Sequence, residues 1–258
     1  MNIVYPIVSV LLVSLLSVVA AIPFLLKKEI SKKTLLFLLS ISVGVLLSTV
    51  FVGFIPEIIE HHYGLDVAIF ILIGFLVMFI LEKFVHWHHN KCDHKGHNHG
   101  EGHSHAYHVA PLNLLGDGIH NFIDGLVIAG SYAVNISVGM AATISIIFHE
   151  IPQEIADFGV LLYSGMSKKR ALFFNFFSAI IALLGVVIGI LLVGKLDGFS
   201  EFVIPFAAGN FLYIAASNLL PQLHRHCKFG ESVLHVLAII LGVAIVLLVT
   251  LLVPGHLH

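Results

Sequence analysis

Six carboxylates, Glu57, Asp117, Asp124, Glu150, Glu154 and Asp157, and two histidines, His120 and His149, stand inside long apolar runs where no Lys or Arg lies at comparable depth. An ionised carboxylate at the centre of a bilayer helix costs about 3 kcal/mol even on lenient scales, so such groups face a bundle interior and mark an ion or proton path. The neutralising charge has to come from solution. Imidazole, carboxylate and amide oxygen together suit borderline first-row dications such as Zn2+, Fe2+ or Mn2+, whereas an all-oxygen cage suits Ca2+ or Mg2+. No thiolate lies at that depth, which argues against Cu(I).

Helical spacing decides which of these groups can act together. At roughly 100° per residue, Asn113, Asp117, His120, Asn121 and Asp124 fall within an arc of about 100°, and His149, Glu150, Gln153, Glu154 and Asp157 within about 140°. Each set makes one polar stripe. The stripes face each other if the two helices pack as an antiparallel pair, which the short link at Val134 to Ser137 favours. Pro152, inside the second stripe, lacks the amide that would bond the carbonyl of Phe148 and is expected to kink its helix, a feature tolerated where the backbone lines a cavity. Gly116, Gly118, Gly125 and Gly130 on the first helix permit close helix approach.

The elements that hold these stripes read as membrane spans. The 258 residues are 58% hydrophobic and 11% charged, with mean hydropathy +1.01; a soluble domain carries about 25% charged residues. Eight apolar runs lie near 3–26, 34–60, 66–87, 111–134, 138–164, 170–194, 201–223 and 232–253. Each is long enough to cross a hydrocarbon core of about 30 Å as a helix. The first lacks a basic amino-terminal region and a small-residue cleavage site, so it reads as a span rather than a signal peptide. The expectation is an all-α integral membrane protein with one membrane domain: spans one to three in 1–85, a His-rich cytoplasmic loop at 86–109, and spans four to eight in 110–258.

Twelve of the 13 basic residues fall on odd-numbered connections, with Lys195 alone on the other side. Cytoplasmic loops retain Lys and Arg, so both termini are expected outside the cytoplasm. Cys92 and Cys227 then lie on the reducing side, where a structural disulfide is disfavoured. A net charge of -2 and the lack of a basic patch or phosphate-binding glycine loop give no sign of nucleic-acid binding.

The segment around 86–108 is a second metal-like feature, with His86, His88, His89, His94, His97, His99, His103, His105 and His108 beside Cys92, Asp93 and Glu101. Its irregular spacing does not define a closed tetrahedral site, and its polar, Gly-containing composition fits a loose chelating or sensing loop, or simply a solvated linker. His224, His226 and Cys227 share that face. On the outer side, His61 and His62 beside Glu57 and Glu60 could funnel ions inward.

The stretch Gly116-Asp-Gly-Ile-His-Asn-Phe-Ile-Asp124-Gly, followed by His149-Glu-Ile-Pro-Gln-Glu154, resembles the fourth- and fifth-helix signatures of the ZIP (Zrt/Irt-like) metal transporters. The resemblance extends to Asn175-Phe-Phe-Ser-Ala179 and Phe211-Leu-Tyr-Ile-Ala215. It implies eight spans with both termini outside, a binuclear centre, import towards the cytoplasm and a homodimer working by elevator-type alternating access. Position by position, it implies His120, Asp124, His149 and Gln153 at one metal position and Asn121, Asp124, Glu150 and Gln153 at the second, with Asp124 as bridge. The chain departs from the pattern at Gln153, where relatives carry His or Glu, and at Asn218 and Gln222, where relatives often carry acids.

Three other readings compete. Buried polar residues can serve as interhelical glue, though glue seldom needs so many carboxylates. His149-Glu150 begins an H-E-x-x-H zinc-protease motif, but Gln153 replaces the second histidine. A passive cation channel is the third. The sequence is therefore read as a multi-pass transporter, not an enzyme. It would move zinc, with Fe2+, Mn2+ or Cd2+ as alternatives, across the plasma membrane. The accessory path would comprise Asp117, Glu154, Asp157, Glu57, His61 and His62.

Overall fold

In hydrocarbon a backbone must satisfy its own hydrogen bonds, and runs of Leu, Ile, Val and Phe do so as helices. The computed structural model describes residues 2–25, 32–61, 64–93, 109–163, 165–196, 198–224 and 229–252, and every element among them is helical. We number them α1 (Val4–Leu25), α2 (32–61), α3 (Leu65–Asp93), α4 (Val109–Val134), α5 (Ile136–Tyr163), α6 (168–193), α7 (199–224) and α8 (Phe229–Leu252). Two are interrupted by π-helical turns, α2 at Thr49–Phe54 and α7 at Ile214–Leu219. In α6, Lys168–Ala179 and Ile181–Val193 meet at Ile180.

By length and composition, five stretches among the described residues can cross a bilayer: Lys33–Glu60, Leu65–Lys83, Lys168–Val193, Phe199–His224 and Gly230–Leu252. The chain is an all-helical, multi-pass integral membrane protein. In α2 and α7, 61% and 67% of the apolar window is buried, against 17% in α3 and 22% in α8. The first two are therefore central and the others peripheral, turning residues such as Leu72, Leu76, Leu237 and Ile240 outward. α4 and α5, at 26 and 28 residues, match the length of a span; the polar residues along them dilute their hydropathy. α3 runs on to Asp93, several residues past its expected end, which puts His86, His88 and His89 on its last turns.

Small residues set the closest helix crossings. A Cβ at Gly44 of α2 would strike the Ile239 carbonyl of α8, and one at Gly242 would strike the Ile41 carbonyl in return. Gly74 of α3 and Gly209 of α7 meet the Phe206 and Ile71 carbonyls in the same reciprocal way, as do Gly125 of α4 and Gly185 of α6 with Ala182 and Phe122. Only glycine admits such backbone-to-backbone approach. The helices thereby sort into two groups: α1, α4, α5 and α6 pack chiefly on one another, and α2 and α3 chiefly on α8 and α7.

Candidate metal centre

α4 and α5 are joined by a single residue, Asn135. Its side-chain oxygen accepts the Val138 N–H at 2.8 Å, capping α5, and its amide donates to Glu57 Oε2 of α2 at 3.1 Å. In a hairpin closed this tightly, residues equally far from the turn lie side by side. His120 and Glu150 are each 15 positions from Asn135, and Asp117 and Gln153 are each 18. The two stripes thus share a register near the middle of both helices.

The donors converge. His120 Nε2 lies 3.2 Å from His149 Nε2, 3.6 Å from Asp124 Oδ2 and 3.3 Å from Glu150 Oε1. His149 Nε2 lies 3.1 Å from the same Asp124 oxygen and 3.7 Å from the same Glu150 oxygen. These are five of the six edges of a tetrahedron. Ligands held about 2.0–2.1 Å from a tetrahedral zinc ion are separated by about 3.3–3.4 Å, so the cage has the size of a zinc site. All four residues are buried, Glu150 completely.

Hydrogen bonding fixes what the cage needs. His149 Nδ1 is 2.9 Å from the Ser145 carbonyl one turn back. A carbonyl only accepts, so Nδ1 carries a proton and Nε2 is left to point inward, oriented as a ligand nitrogen is by its outer partner. Phe211 of α7 holds the ring edge-on at a centroid distance of 5.8 Å. Asp124 Oδ2 is also an acceptor, so a cation, either a proton or a metal ion, has to lie between it and Nε2. No Lys or Arg occurs on α4 or α5 to serve instead.

α2 also supports the local backbone. Pro152 offers no amide to the Phe148 carbonyl, and the Ser42 hydroxyl lies 2.5 Å from that oxygen. Three residues away, Ser145 Oγ pairs with Thr49 Oγ1 at 2.6 Å, at the start of the π-helical turn.

One turn along, Asp117, Glu150 and Glu154 form a second group whose ligand atoms all lie within 4.8 Å of one another. Glu150, expected at the second metal position, stands in the cage beside His120, Asp124 and His149, while the amide nitrogens of Asn121, expected at the second position, and Gln153, expected at both, lie 3.1 and 3.3 Å from Asp117 Oδ1. Asp157 is half-buried and belongs to neither group. Glu57 is buried at the hairpin turn rather than at the centre. Asn218 accepts from Gln222 at 3.2 Å. The side chains of Asn113, His61, His86, His88 and His89, and all of His62 and His94–His108, lie outside the described residues. Sequence reasoning passed over Asn210 of α7, fully buried with neither amide atom hydrogen-bonded; its one signal is an amide in an otherwise apolar run.

A family model described as "ZIP Zinc transporter" matches residues 2–110 and 88–250. Zinc transporter ZIP10 of Homo sapiens is 34% identical over 189 residues, covering 67% of this chain and 22% of its own length. IAA-alanine resistance protein 1 of Arabidopsis thaliana is 40% identical over 143 residues, covering 54% and 30%. Metal cation symporter ZIP14 of Mus musculus is 36% identical over 151 residues, covering 55% and 30%. The matched part of this chain thus spans between about a fifth and a third of the length of these curated relatives.

Proposed function

The chain belongs to the ZIP zinc transporter family, and from that premise we propose that it carries divalent transition-metal ions, zinc foremost, towards the cytoplasm through the cage of His120, Asp124, His149 and Glu150. The carrying observation is that four buried donors from two helices form a zinc-sized tetrahedron whose facing acceptors require a cation. Fe2+, Mn2+ and Cd2+ are further cargoes for the same mixed nitrogen and oxygen donors. A hydrolytic zinc keeps an open coordination position for water, whereas Glu150 supplies a fourth protein donor here, so the incomplete H-E-x-x-H motif is read as part of a carrier.

The wider reading is of eight spans with both termini outside, in a homodimer in the plasma membrane, with the His-rich segment chelating metal on the cytoplasmic side. The one-sided distribution of basic residues supports that orientation. An incoming ion exchanges water for the four donors, with Asn121 and Gln153 able to add amide oxygens at a second position. The group α1, α4, α5 and α6 then shifts against α2, α3, α7 and α8, exposing the ion to the other side. Glu57, close to the α4–α5 turn, lies at the proposed entrance with His61 and His62. Uptake of zinc into proteoliposomes tests the reading: Asp124→Ala should abolish accumulation, and uptake equal to the parent would remove the cage from the pathway. Competition among zinc, iron, manganese and cadmium then orders the cargoes.

A further inference from the structure

An open groove of about 490 Å³ runs between α4 and α6, walled by Leu115, Ile119 and Phe122 on one helix and by Phe174, Phe177 and Ile181 on the other. It is separate from the metal centre. At about 100° per residue, the groove residues of α4 lie on the side of the helix opposite Asp117, His120 and Asp124. The walls are almost entirely carbon, and their one hydroxyl, Ser178, donates to the Leu114 carbonyl at 3.4 Å. Such walls give a polar ligand nothing to bond. Leu115, Ile119 and Phe177 remain exposed, and on the outside of a membrane-spanning bundle the solvent they meet is lipid.

What distinguishes the groove is the charge at one end. α4 and α6 run parallel, since Ser178 meets Leu114, Ile181 meets Gly118 and Gly185 meets Gly125 in step. Both helices therefore begin at the same end, where Lys168, Lys169 and Arg170 open α6, all three exposed. The Arg170 guanidinium carbon lies 5.9 Å from the ring centroid of Phe174, which is itself a wall of the groove. A cation over a ring face is held by the ring's quadrupole, so this charge is fixed at the rim. We propose that the groove binds an anionic phospholipid, with one acyl chain between α4 and α6 and the headgroup phosphate on Arg170 and Lys169. The guanidinium fork matches phosphate oxygens in pairs, and the ammonium adds a point charge. That end is the side proposed above as cytoplasmic, the leaflet in which anionic lipids gather. A zwitterionic lipid brings the same chain without the net charge, so the rim selects. The walls also span Ile180, where the two halves of α6 meet, and a seated chain packs against both halves and α4 together.

Native mass spectrometry of the full chain, released from detergent micelles doped with dioleoylphosphatidylglycerol or with dioleoylphosphatidylcholine, tests this. The parent should hold one phosphatidylglycerol at least about tenfold more tightly than phosphatidylcholine. Each basic residue near an anionic lipid surface contributes about fivefold in affinity, so Lys169→Gln combined with Arg170→Gln should weaken phosphatidylglycerol about 25-fold and leave phosphatidylcholine unchanged. Leu115→Trp fills the groove and should weaken both lipids. Equal retention of the two lipids by the parent would reduce the groove to unselective lipid contact and overturn the proposal. Phosphatidylglycerol binding unmoved by the double variant, or by Leu115→Trp, overturns it as well, the latter by leaving a headgroup held on surface charge alone. If the variants fail to fold, a phosphatidylglycerol carrying a diazirine in its acyl chain, photolysed on the parent, decides: label should concentrate at 115–122 and 174–181, and labelling no denser there than on α3 and α8 refutes the site.

Discussion

Replacing Ser42 with alanine removes the hydroxyl that lies 2.5 Å from the Phe148 carbonyl, the oxygen that Pro152 leaves without its helical amide. An unsatisfied buried polar group costs about 1–3 kcal/mol in proteins generally. Hydrogen bonds between membrane helices average about 0.6 and reach about 1.7 kcal/mol, because the unfolded reference in a bilayer or micelle finds other partners. The contact is at the short end for O–H···O geometry, which puts Ser42→Ala near the upper membrane figure, about 1.5 kcal/mol. Ser42 is also 2.9 Å from its own Leu38 carbonyl, but losing that contact orphans no group, because a helical carbonyl normally keeps its amide partner. The decisive measurement is a double-mutant cycle read by reversible denaturation in detergent. Pro152→Ala restores an amide to Phe148, so Ser42→Ala in that background should cost under about 0.5 kcal/mol, leaving a coupling of about 1 kcal/mol. Equal costs in both backgrounds would show that the hydroxyl does not stand in for the missing amide.

Three further outcomes are expected. Asp124→Asn keeps the shape but removes the charge that faces both histidines at 3.1 and 3.6 Å, so zinc affinity by dialysis should fall at least about tenfold; an unchanged affinity would take Asp124 out of the cage. Imidazole nitrogens must be free of protons to bind metal, so zinc affinity should drop as the pH is lowered from neutral to mildly acidic, and a flat profile would contradict ligation by His120 and His149. Gly125→Ala forces a Cβ onto the Ala182 carbonyl and should destabilise by about 1–3 kcal/mol, whereas Gly159→Ala, with nothing within 4 Å, should stabilise α5 by up to about 1 kcal/mol. Thermal unfolding of both variants in one detergent checks the contrast; similar losses would mean the glycine crossings do not set the α4–α6 distance.

Much of this arrangement is legible from spacing. Residues every three or four positions on α4 and α5 share a face, and a link as short as Asn135 forces those faces together in antiparallel register. The meeting of His120, Asp124 and His149 follows from that geometry; that Glu150 rather than Gln153 completes the set does not. Nor does the aim of each side chain. Whether Gln153 turns oxygen to a metal or nitrogen to Asp117 depends on a rotamer set against the opposite helix, which one-dimensional spacing does not carry, whereas Asn121 meets Asp117 four residues back on its own helix. Pro152 announces an orphaned carbonyl at Phe148, yet nothing about Ser42 marks it as the partner more than 100 positions away. The π-helical turns at Thr49–Phe54 and Ile214–Leu219 lie in ordinary apolar and small residues, most of them buried, and nothing in their types marks them. α3 continues to Asp93 because Lys83 to Asp93 contains no Pro or Gly to stop it.

The two kinds of helix contact bear on where the molecule can yield. All three reciprocal glycine crossings lie within one group or the other: α2 on α8, α3 on α7, and α4 on α6. Each interlocks backbone with backbone, and sliding either helix along its axis would drive the adjoining residues' Cβ atoms into that backbone. One of the contacts that join the groups, between α2 and α5, is made differently: Ser42 to the Phe148 carbonyl, Thr49 to Ser145, and a 3.4 Å reach from Thr49 to the Ala141 carbonyl. The Thr49 bonds, at about 0.6 kcal/mol each, can be exchanged for others, since small hydroxyls can bond back to their own helix when the partner leaves. Ser42 already has Leu38 in reach. Along α2 and α5 the shift proposed for the metal-bearing group would therefore exchange hydroxyl bonds rather than force backbone past backbone, beside the carbonyl of Ser145 that holds His149 in place. If the metal-bearing group shifts along this face as proposed, Thr49→Val, which keeps shape and deletes the hydroxyl, should change zinc uptake rate more than zinc affinity; an affinity change as large as the rate change would place the moving interface elsewhere.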